Sequence, residues 1–168
     1  ASTAQIPVRG YVSCVAGCPY EGDIAPAAVR AVSERLLDMG CYEVSLGDTI
    51  GKGTPETVSQ MLVEVLKVAG SEKFAGHYHD TNNRALENVA VSLDYGLRKF
   101  DSAFGGLGGC PYAPGAKGNV STTALAHKLA HDGWATGLDF DRLADAEQYL
   151  TTVITTPAAH KEIDHGRL

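Results

Sequence analysis

The hydrophobic and polar residues of the chain follow two kinds of pattern in turn. Four short segments are rich in β-branched and aromatic residues, which is typical of β-strands. Each is followed by a longer stretch in which apolar residues recur every three or four positions, as on one face of a helix. The strand-like segments are 7–14, 42–48, 74–80 and 99–106, and the helical patterns cover 26–40, 54–70, 82–96, 121–133 and 139–154.

The helical patterns carry boundary signals and predict which residues are buried. Pro26 suits a first helical turn and Gly40 a helix exit, while Thr54 is a natural N-cap with Pro55 after it. The residues expected to face the core are Val29, Val32, Leu36 and Met39 in the first helix, Val58, Met61, Leu62, Val65 and Leu66 in the second, and Leu86, Val89 and Leu93 in the third.

Strands that alternate with helices predict βαβ units and a parallel sheet, and no linker divides residues 1–168, so we expect a single α/β domain. Four βα units could form a small doubly wound sheet or about half of a TIM-type (β/α)8 barrel. Polar residues follow nearly every predicted strand, whereas an open sheet usually concentrates them at one switch point. The sequence therefore favours the C-terminal half of a barrel with a trailing helix.

Composition and charge exclude several classes of function. The chain has 168 residues, 44% of them hydrophobic, and a formal net charge of −6, which argues against binding to nucleic acid or to an anionic membrane. No apolar run approaches the roughly 20 residues of a membrane span, and the start lacks a signal peptide. We therefore expect a protein that is not secreted, with its four cysteines as free thiols, although Cys14 and Cys18 have a spacing that could also serve zinc.

A predicted metal site centres on two histidines. His77 and His79 are two positions apart in a predicted strand, so both rings point to the same face, where they could bind a divalent metal or simply end the strand. Asp80 is the candidate to orient one of the rings. Asn119 precedes a predicted helix, where it is either an N-cap or turn residue or an amide ligand of a hard cation.

Two charged residues of the predicted strands are candidates for substrate binding or catalysis. Asp48, between two glycines, could be a turn residue, an acceptor for a substrate hydroxyl, or a base. Arg9 lies in an apolar strand, and a guanidinium in that position needs a carboxylate or an anionic substrate as its partner.

The stretch GGLGGCPYAPGAKGN, residues 105–119, surrounds Cys110 with glycines. Glycines let a backbone adopt positive φ and approach a ligand, and they allow a loop to move. A thiol on such a loop could act as an acid or base over a bound substrate. The alternative is a loop that binds an anion and carries an uninvolved cysteine; the pattern does not match a nucleotide P-loop.

Taken together, five motifs resemble the HMG-CoA lyase family. They are VRGYVSC, GCPYEG, MGCYEVSLGDTIGKGTP, HYHDT and GLGGCPYAPGAKGN, which occur in this order between residues 8 and 125. The resemblance implies a (β/α)8 barrel and the metal-dependent cleavage of 3-hydroxy-3-methylglutaryl-CoA to acetyl-CoA and acetoacetate. It also implies an acyl-CoA substrate and Mg²⁺ or Mn²⁺ as the cofactor.

The resemblance assigns roles to individual residues. It implies that His77, His79 and Asn119 bind the metal and that Cys110 takes part in proton transfer. Asp48 and His77 would lie beside the reacting atoms. The substrate pocket would be lined by Arg9, Tyr11 and Thr49.

The chain also departs from the family pattern. The family's metal site includes an aspartate, with a catalytic arginine beside it, from a region that we do not find here. Asn82 and Asn83 stand where the family usually has Tyr-Gly, and Thr123 stands where it often has glutamate. The first departure suggests that a second copy or the N-terminal half of the same enzyme completes the site, and the others leave open a larger 3-hydroxyglutaryl-CoA analogue as substrate.

The sequence leaves two other functions open. One is a Claisen-type synthase of the same metal-barrel superfamily, although the paired CPY motifs favour the lyase. The other is a catalytically incomplete chain that only binds a metal or a CoA ester. The expected location is the cytoplasm of a bacterium or the mitochondrial matrix of a eukaryote.

Overall fold

The computed structural model describes residues 1–109 and 118–155. Residues up to 136 form one compact unit, and a second unit begins at residue 137. The helices of the first unit are α1 (Pro26–Asp38), α2 (Pro55–Val65), α3 (Ala85–Asp94) and α4 (Thr122–His131), and the second unit contains α5 (Phe140–Thr155). The prediction of a single domain stays a prediction.

The first unit is built on a parallel sheet of four strands. These are β1 (Arg9–Val12), β4 (Glu43–Asp48), β5 (Phe74–Tyr78) and β6 (Phe100–Asp101), in the spatial order β1-β4-β5-β6. A short antiparallel hairpin of β2 (Gly17–Cys18) and β3 (Gly22–Asp23), which the sequence did not predict, precedes α1. Since neighbouring strands in the sheet are joined through α1, α2 and α3, the predicted βαβ units are confirmed.

One face of this sheet packs against the helices. Parallel partners share a face, and on this face the side chains are mostly apolar: Val12, Val44, Leu46, Phe74 and Tyr78 are all buried. The predicted stripes of α2 and α3 cover them, with Val58, Met61, Leu62, Val65, Val89 and Leu93 buried in the same cluster.

The prediction for α1 is partly wrong. Val29 is buried and Leu36 packs against the core, but Val32 is 48% exposed and Met39, at the helix end, is 69% exposed. The period of the apolar residues places them near one face, but the sheet and α2 together bury only the narrower part of it that holds Val29 and Ser33.

The boundary signals at Pro26, Gly40 and Thr54 are confirmed, whereas α2 ends five residues before the predicted position 70. The Thr54 hydroxyl accepts a hydrogen bond from the Thr57 N–H and forms a capping box with it, and Pro26 lies in the first turn of α1. Gly40 has φ of +92° just after α1.

Among the described residues, no helix combines the length and the apolar character that a membrane crossing requires. The cysteines that the structure describes, Cys14, Cys18 and Cys41, are not joined in disulfides.

Candidate active site

The second face of the sheet is polar. In the register of the four strands, Arg9 lies beside Glu43, Tyr11 beside Ser45, Gly47 beside His77, and His77 beside Asp101. These side chains point away from the helices because successive residues of a strand face opposite sides. The parallel sheet therefore has one apolar face that builds the core and one polar face on which chemistry can take place.

His77 is held at its Nδ1 atom. This nitrogen lies 3.1 Å from Oδ2 of Asp101, the neighbouring residue on β6. The same oxygen accepts a hydrogen bond of 2.8 Å from the Ser45 hydroxyl. Asp80, the predicted partner of the histidines, instead accepts the N–H of Ala85, the first residue of α3, at 3.1 Å. The prediction for Asp80 is wrong, because the sheet brings a residue from another strand to the ring.

Arg9 joins two carboxylates. Its Nε lies 2.6 Å from Glu43 and its Nη2 lies 2.9 Å from Asp101, while Lys99 also pairs with Glu43. Burial opposes the charge of Asp101, but the hydrogen bonds from His77, Arg9 and Ser45 outweigh it and hold the pKa of this carboxyl below its usual range. The carboxylate that the sequence predicted as a partner of Arg9 is confirmed. A contact between Arg9 and an anionic substrate stays a prediction.

His79 and Asn119 meet just beyond the end of β5. They form an isolated antiparallel bridge, and the rings of His77 and His79 lie with their centroids 5.5 Å apart. The Nδ1 atom of His79 is buried without a hydrogen-bond partner. Burial and the neighbouring His77 lower the pKa of His79, which favours the neutral ring. The structure thus brings together the three residues that the sequence predicted as metal ligands.

These three residues fit a divalent metal as a partial set of ligands. Within residues 1–109 and 118–155, no three His, Cys, Asp or Glu side chains are grouped to hold a metal, so an amide oxygen from Asn119 would have to serve beside the two imidazoles. The orphaned Nδ1 of His79 is consistent with this role, because a buried nitrogen without a partner is costly unless something binds it. Carbonyl oxygen is a ligand that suits Mg²⁺ and Mn²⁺, and imidazole nitrogen binds divalent transition-metal ions.

Glycines make room for Asn119. Its Nδ2 donates a hydrogen bond of 3.0 Å to the carbonyl of Leu107, and a Cβ on Gly108 would lie 2.8 Å from the same atom. A Cβ on Gly118 would lie only 1.8 Å from the carbonyl oxygen of Gly108. These two positions therefore need glycine for close packing within the protein, and the predicted approach of the stretch to a ligand stays a prediction. Cys110 lies outside the described residues, and its role stays a prediction.

Asp48 is buried in a turn. Its two oxygens accept the N–H groups of Lys52 and Gly53 at 3.0 and 2.8 Å. Burial raises the pKa of the Asp48 carboxyl, although these backbone hydrogen bonds act against it. This geometry gives Asp48 the role of a turn residue, while each oxygen keeps a further acceptor site; its contact with a substrate and its role as a base stay predictions.

Thr49 and Tyr11 flank the histidines differently. The Thr49 hydroxyl accepts the N–H of Cys14 at 2.8 Å and so ties the ends of β1 and β4 together. Tyr11 is 57% exposed, and its ring meets the ring of His77 edge-on at 6.4 Å while the Arg9 guanidinium lies over it at 4.9 Å. Tyr11 therefore has the accessibility that a substrate-binding residue needs.

Sequence reasoning missed three residues of the polar face: Glu43, Ser45 and Asp101. A signal was present, because Glu43 and Ser45 alternate with Val44 and Leu46 in a strand whose other face is apolar. Period-two polarity in a parallel strand indicates a face that is not packed against helices. Asp101, next to Phe100, would have been found in the same way.

Comparisons with known proteins find relatives along most of the chain. The HMGL-like family matches residues 3–150. The mitochondrial hydroxymethylglutaryl-CoA lyase of Gallus gallus is 49% identical over 154 residues, which are 92% of this chain and 52% of that protein. The cytoplasmic 3-hydroxy-3-methylglutaryl-CoA lyase of Mus musculus is 50% identical over 150 residues, which are 89% of this chain and 44% of that protein.

A solved structure supports the fold as well. The HMG-CoA lyase of Brucella melitensis superposes with a TM-score of 0.87 at 55% identity, over 90% of this chain and 54% of that one. The chain thus spans about half the length of the relatives it matches, and its parallel sheet forms part of their fold. The predicted family and fold class are confirmed: this chain belongs to the HMGL-like family and has part of an α/β fold of the TIM-barrel type.

Proposed function

We propose that this chain carries metal- and substrate-facing residues of a lyase that splits 3-hydroxy-3-methylglutaryl-CoA into acetyl-CoA and acetoacetate. The observation that carries the proposal is the convergence of His77, His79 and Asn119 at one edge of the sheet. It occurs in a chain about half identical to proteins named as this lyase.

His77, His79 and Asn119 would hold Mg²⁺ or Mn²⁺. Such a cation, when bound, makes a coordinated hydroxyl more acidic and stabilises negative charge on neighbouring oxygens. The protein's part is to present the ligands from one edge of the sheet: His77 from β5, His79 two residues later, and Asn119 from the segment bridged to it.

Proton transfer requires a group other than His77. Cleavage of the carbon–carbon bond needs a base for the substrate hydroxyl and an acid for the carbon that becomes the methyl group of acetyl-CoA. The Nδ1 of His77 is engaged with Asp101, and its other nitrogen is the proposed ligand, so neither is left to move a proton. We assign proton transfer to Cys110 on the grounds of its sequence motif.

The first test is Mn²⁺ binding, measured by isothermal titration calorimetry on the purified protein. His79→Ala should weaken binding by at least tenfold, because it removes a ligand. The control is His131→Ala, which removes an exposed histidine at the end of α4. Equal binding by both variants and the unmodified protein would exclude the two-histidine site.

The second test follows the reaction itself. With Mn²⁺, the protein should release acetyl-CoA from 3-hydroxy-3-methylglutaryl-CoA, and EDTA should stop the release. Cys110→Ala should lower turnover by about 10²–10⁴-fold if the thiol is an acid or base, with Mn²⁺ affinity unchanged. Consumption of acetyl-CoA with a keto acid, in place of its release, would indicate the Claisen-type synthase.

Association with another polypeptide is part of the proposal. In the described part of the chain, β1 and β6 each pair on one side only, so the sheet has two edges. Exposed strand edges favour pairing with further strands. We propose that a second copy or the remaining half of the barrel covers them, and light scattering that shows a stable monomer would contradict this.

A further inference from the structure

We infer that Asp101 is a positioning residue: held by Arg9 and Ser45, it orients His77 and keeps the ring hydrogen on Nδ1, so that Nε2 is the nitrogen available to a ligand. Neither Asp101 nor Ser45 was among the residues expected from the sequence. The inference extends the proposed metal site, and it rests on the proposed function only where Nε2 is taken to bind a metal.

The hydrogen-bond inventory around Asp101 leaves one assignment for the ring. Oδ2 lies 2.8 Å from the Ser45 hydroxyl, 3.0 Å from Nη1 of Arg9 and 3.1 Å from Nδ1 of His77. An ionised carboxylate only accepts hydrogen bonds, so the ring nitrogen that faces it must carry the hydrogen. In a neutral imidazole the lone pair then resides on Nε2.

The carboxylate has little freedom to turn away from the ring. Arg9 approaches both of its oxygens, Nη1 at 3.0 Å from Oδ2 and Nη2 at 2.9 Å from Oδ1, which is a bidentate arrangement. Arg9 is held in turn by Glu43, which also pairs with Lys99. The positive charges of Arg9 and Lys99 thus neutralise the two carboxylates on the polar face. Because Arg9 is fixed by Glu43, it also restrains the carboxylate of Asp101.

The position of Asp101 in the sheet explains why this residue is the partner. In the parallel register, Asp101 is directly beside His77, and Ser45 on β4 reaches the same carboxylate from the other side of β5. Parallel partners lie on the same face at the distance between neighbouring strands, about 4.8 Å. A short side chain can span that gap, whereas the neighbouring Asp80 is committed to the start of α3.

The decisive measurement is the tautomer of His77 in metal-free protein labelled with ¹⁵N-histidine. Long-range ¹H–¹⁵N correlation spectra distinguish a ring protonated at Nδ1 from one protonated at Nε2. We expect the unmodified protein to show His77 protonated at Nδ1, and Asp101→Leu to lose this preference because the acceptor is gone.

The matched control is Asp132→Leu. His131 also has its Nδ1 3.1 Å from a carboxylate, but its side chain is 86% exposed. Removing Asp132 should leave the His77 signal unchanged. A His77 ring protonated at Nε2 in the unmodified protein would overturn the inference even if Asp101→Leu failed to fold, and so would an unchanged tautomer in a folded Asp101→Leu.

Mn²⁺ titration separates this inference from the proposed function. Loss of an orienting partner typically weakens metal affinity by about 10–100-fold, and we expect this range for Asp101→Leu and no change for Asp132→Leu. If the unmodified protein bound no Mn²⁺, the proposed function would fail while the tautomer result stood. If it bound Mn²⁺ and Asp101→Leu bound it equally well, the role of Asp101 would fail while the proposed function stood.

Discussion

Replacement of Gly108 by alanine tests whether the glycine-rich segment holds Asn119 in the site. Gly108 has φ of +98°, a region that costs a residue with a side chain about 1–2 kcal/mol. The added Cβ would also lie 2.8 Å from Nδ2 of Asn119, so the amide must move by about 0.6 Å to restore an ordinary contact of 3.4 Å. Such a shift disturbs the 3.0 Å hydrogen bond to Leu107 that orients the amide.

Gly133→Ala provides a matched control for the backbone effect. Gly133 has φ of +84°, but a Cβ there would meet no atom within 4 Å. Both variants should therefore lower the free energy of unfolding in urea by about 1–2 kcal/mol. Only Gly108→Ala should also weaken Mn²⁺ binding, by about 10–100-fold as for other changes that displace a supported ligand.

The two variants distinguish a role of Gly108 in metal binding from a role in the backbone alone. Equal Mn²⁺ affinity for Gly108→Ala and Gly133→Ala, measured by calorimetry on folded protein, would show that the position of the Asn119 amide does not matter for the metal. A loss of stability without any loss of affinity would leave Gly108 with a backbone role alone. An unchanged Mn²⁺ affinity would thus remove Asn119 from the proposed set of ligands.

Three further predictions concern stability, measured as the free energy of unfolding in urea. Tyr78→Phe should lower it by about 1 kcal/mol, because the buried hydroxyl loses its 2.6 Å hydrogen bond with Ser92; no change would mean that the bond contributes nothing net. Leu46→Ala should lower the free energy of unfolding by about 3 kcal/mol, since the side chain is fully buried. Val32 is exposed, so Val32→Ala should change it by no more than about 0.5 kcal/mol. Similar losses in the two variants would contradict the assigned core. Because the pKa of Asp101 is lowered in the folded protein, its ionised carboxylate stabilises the fold. This stabilisation is complete above the unfolded pKa of about 3.9 and is lost as the pH falls below that value. Asp101→Leu should therefore lose less stability in acid, and an unchanged pH dependence would refute this.

The order of strands and helices could be predicted from sequence because it depends on neighbours along the chain. Apolar period and capping residues act within one or two turns, which is why α2 begins after Thr54 as expected. The shared face of His77 and His79 also follows from the two-residue period of a strand. The family motifs were recognisable for the same reason, since each is a continuous run of residues.

The partners of the polar residues were decided by the tertiary structure alone. Arg9 meets an aspartate 92 positions away, and His77 meets the same residue from 24 positions away. Asp80, adjacent in sequence to His79, turns instead to α3. Likewise, the exposure of Val32 depends on how much of α1 is buried by the sheet and by α2. Local periodicity determines which way a side chain points, but only the register between strands, set by the packing of the whole sheet, determines what it meets there.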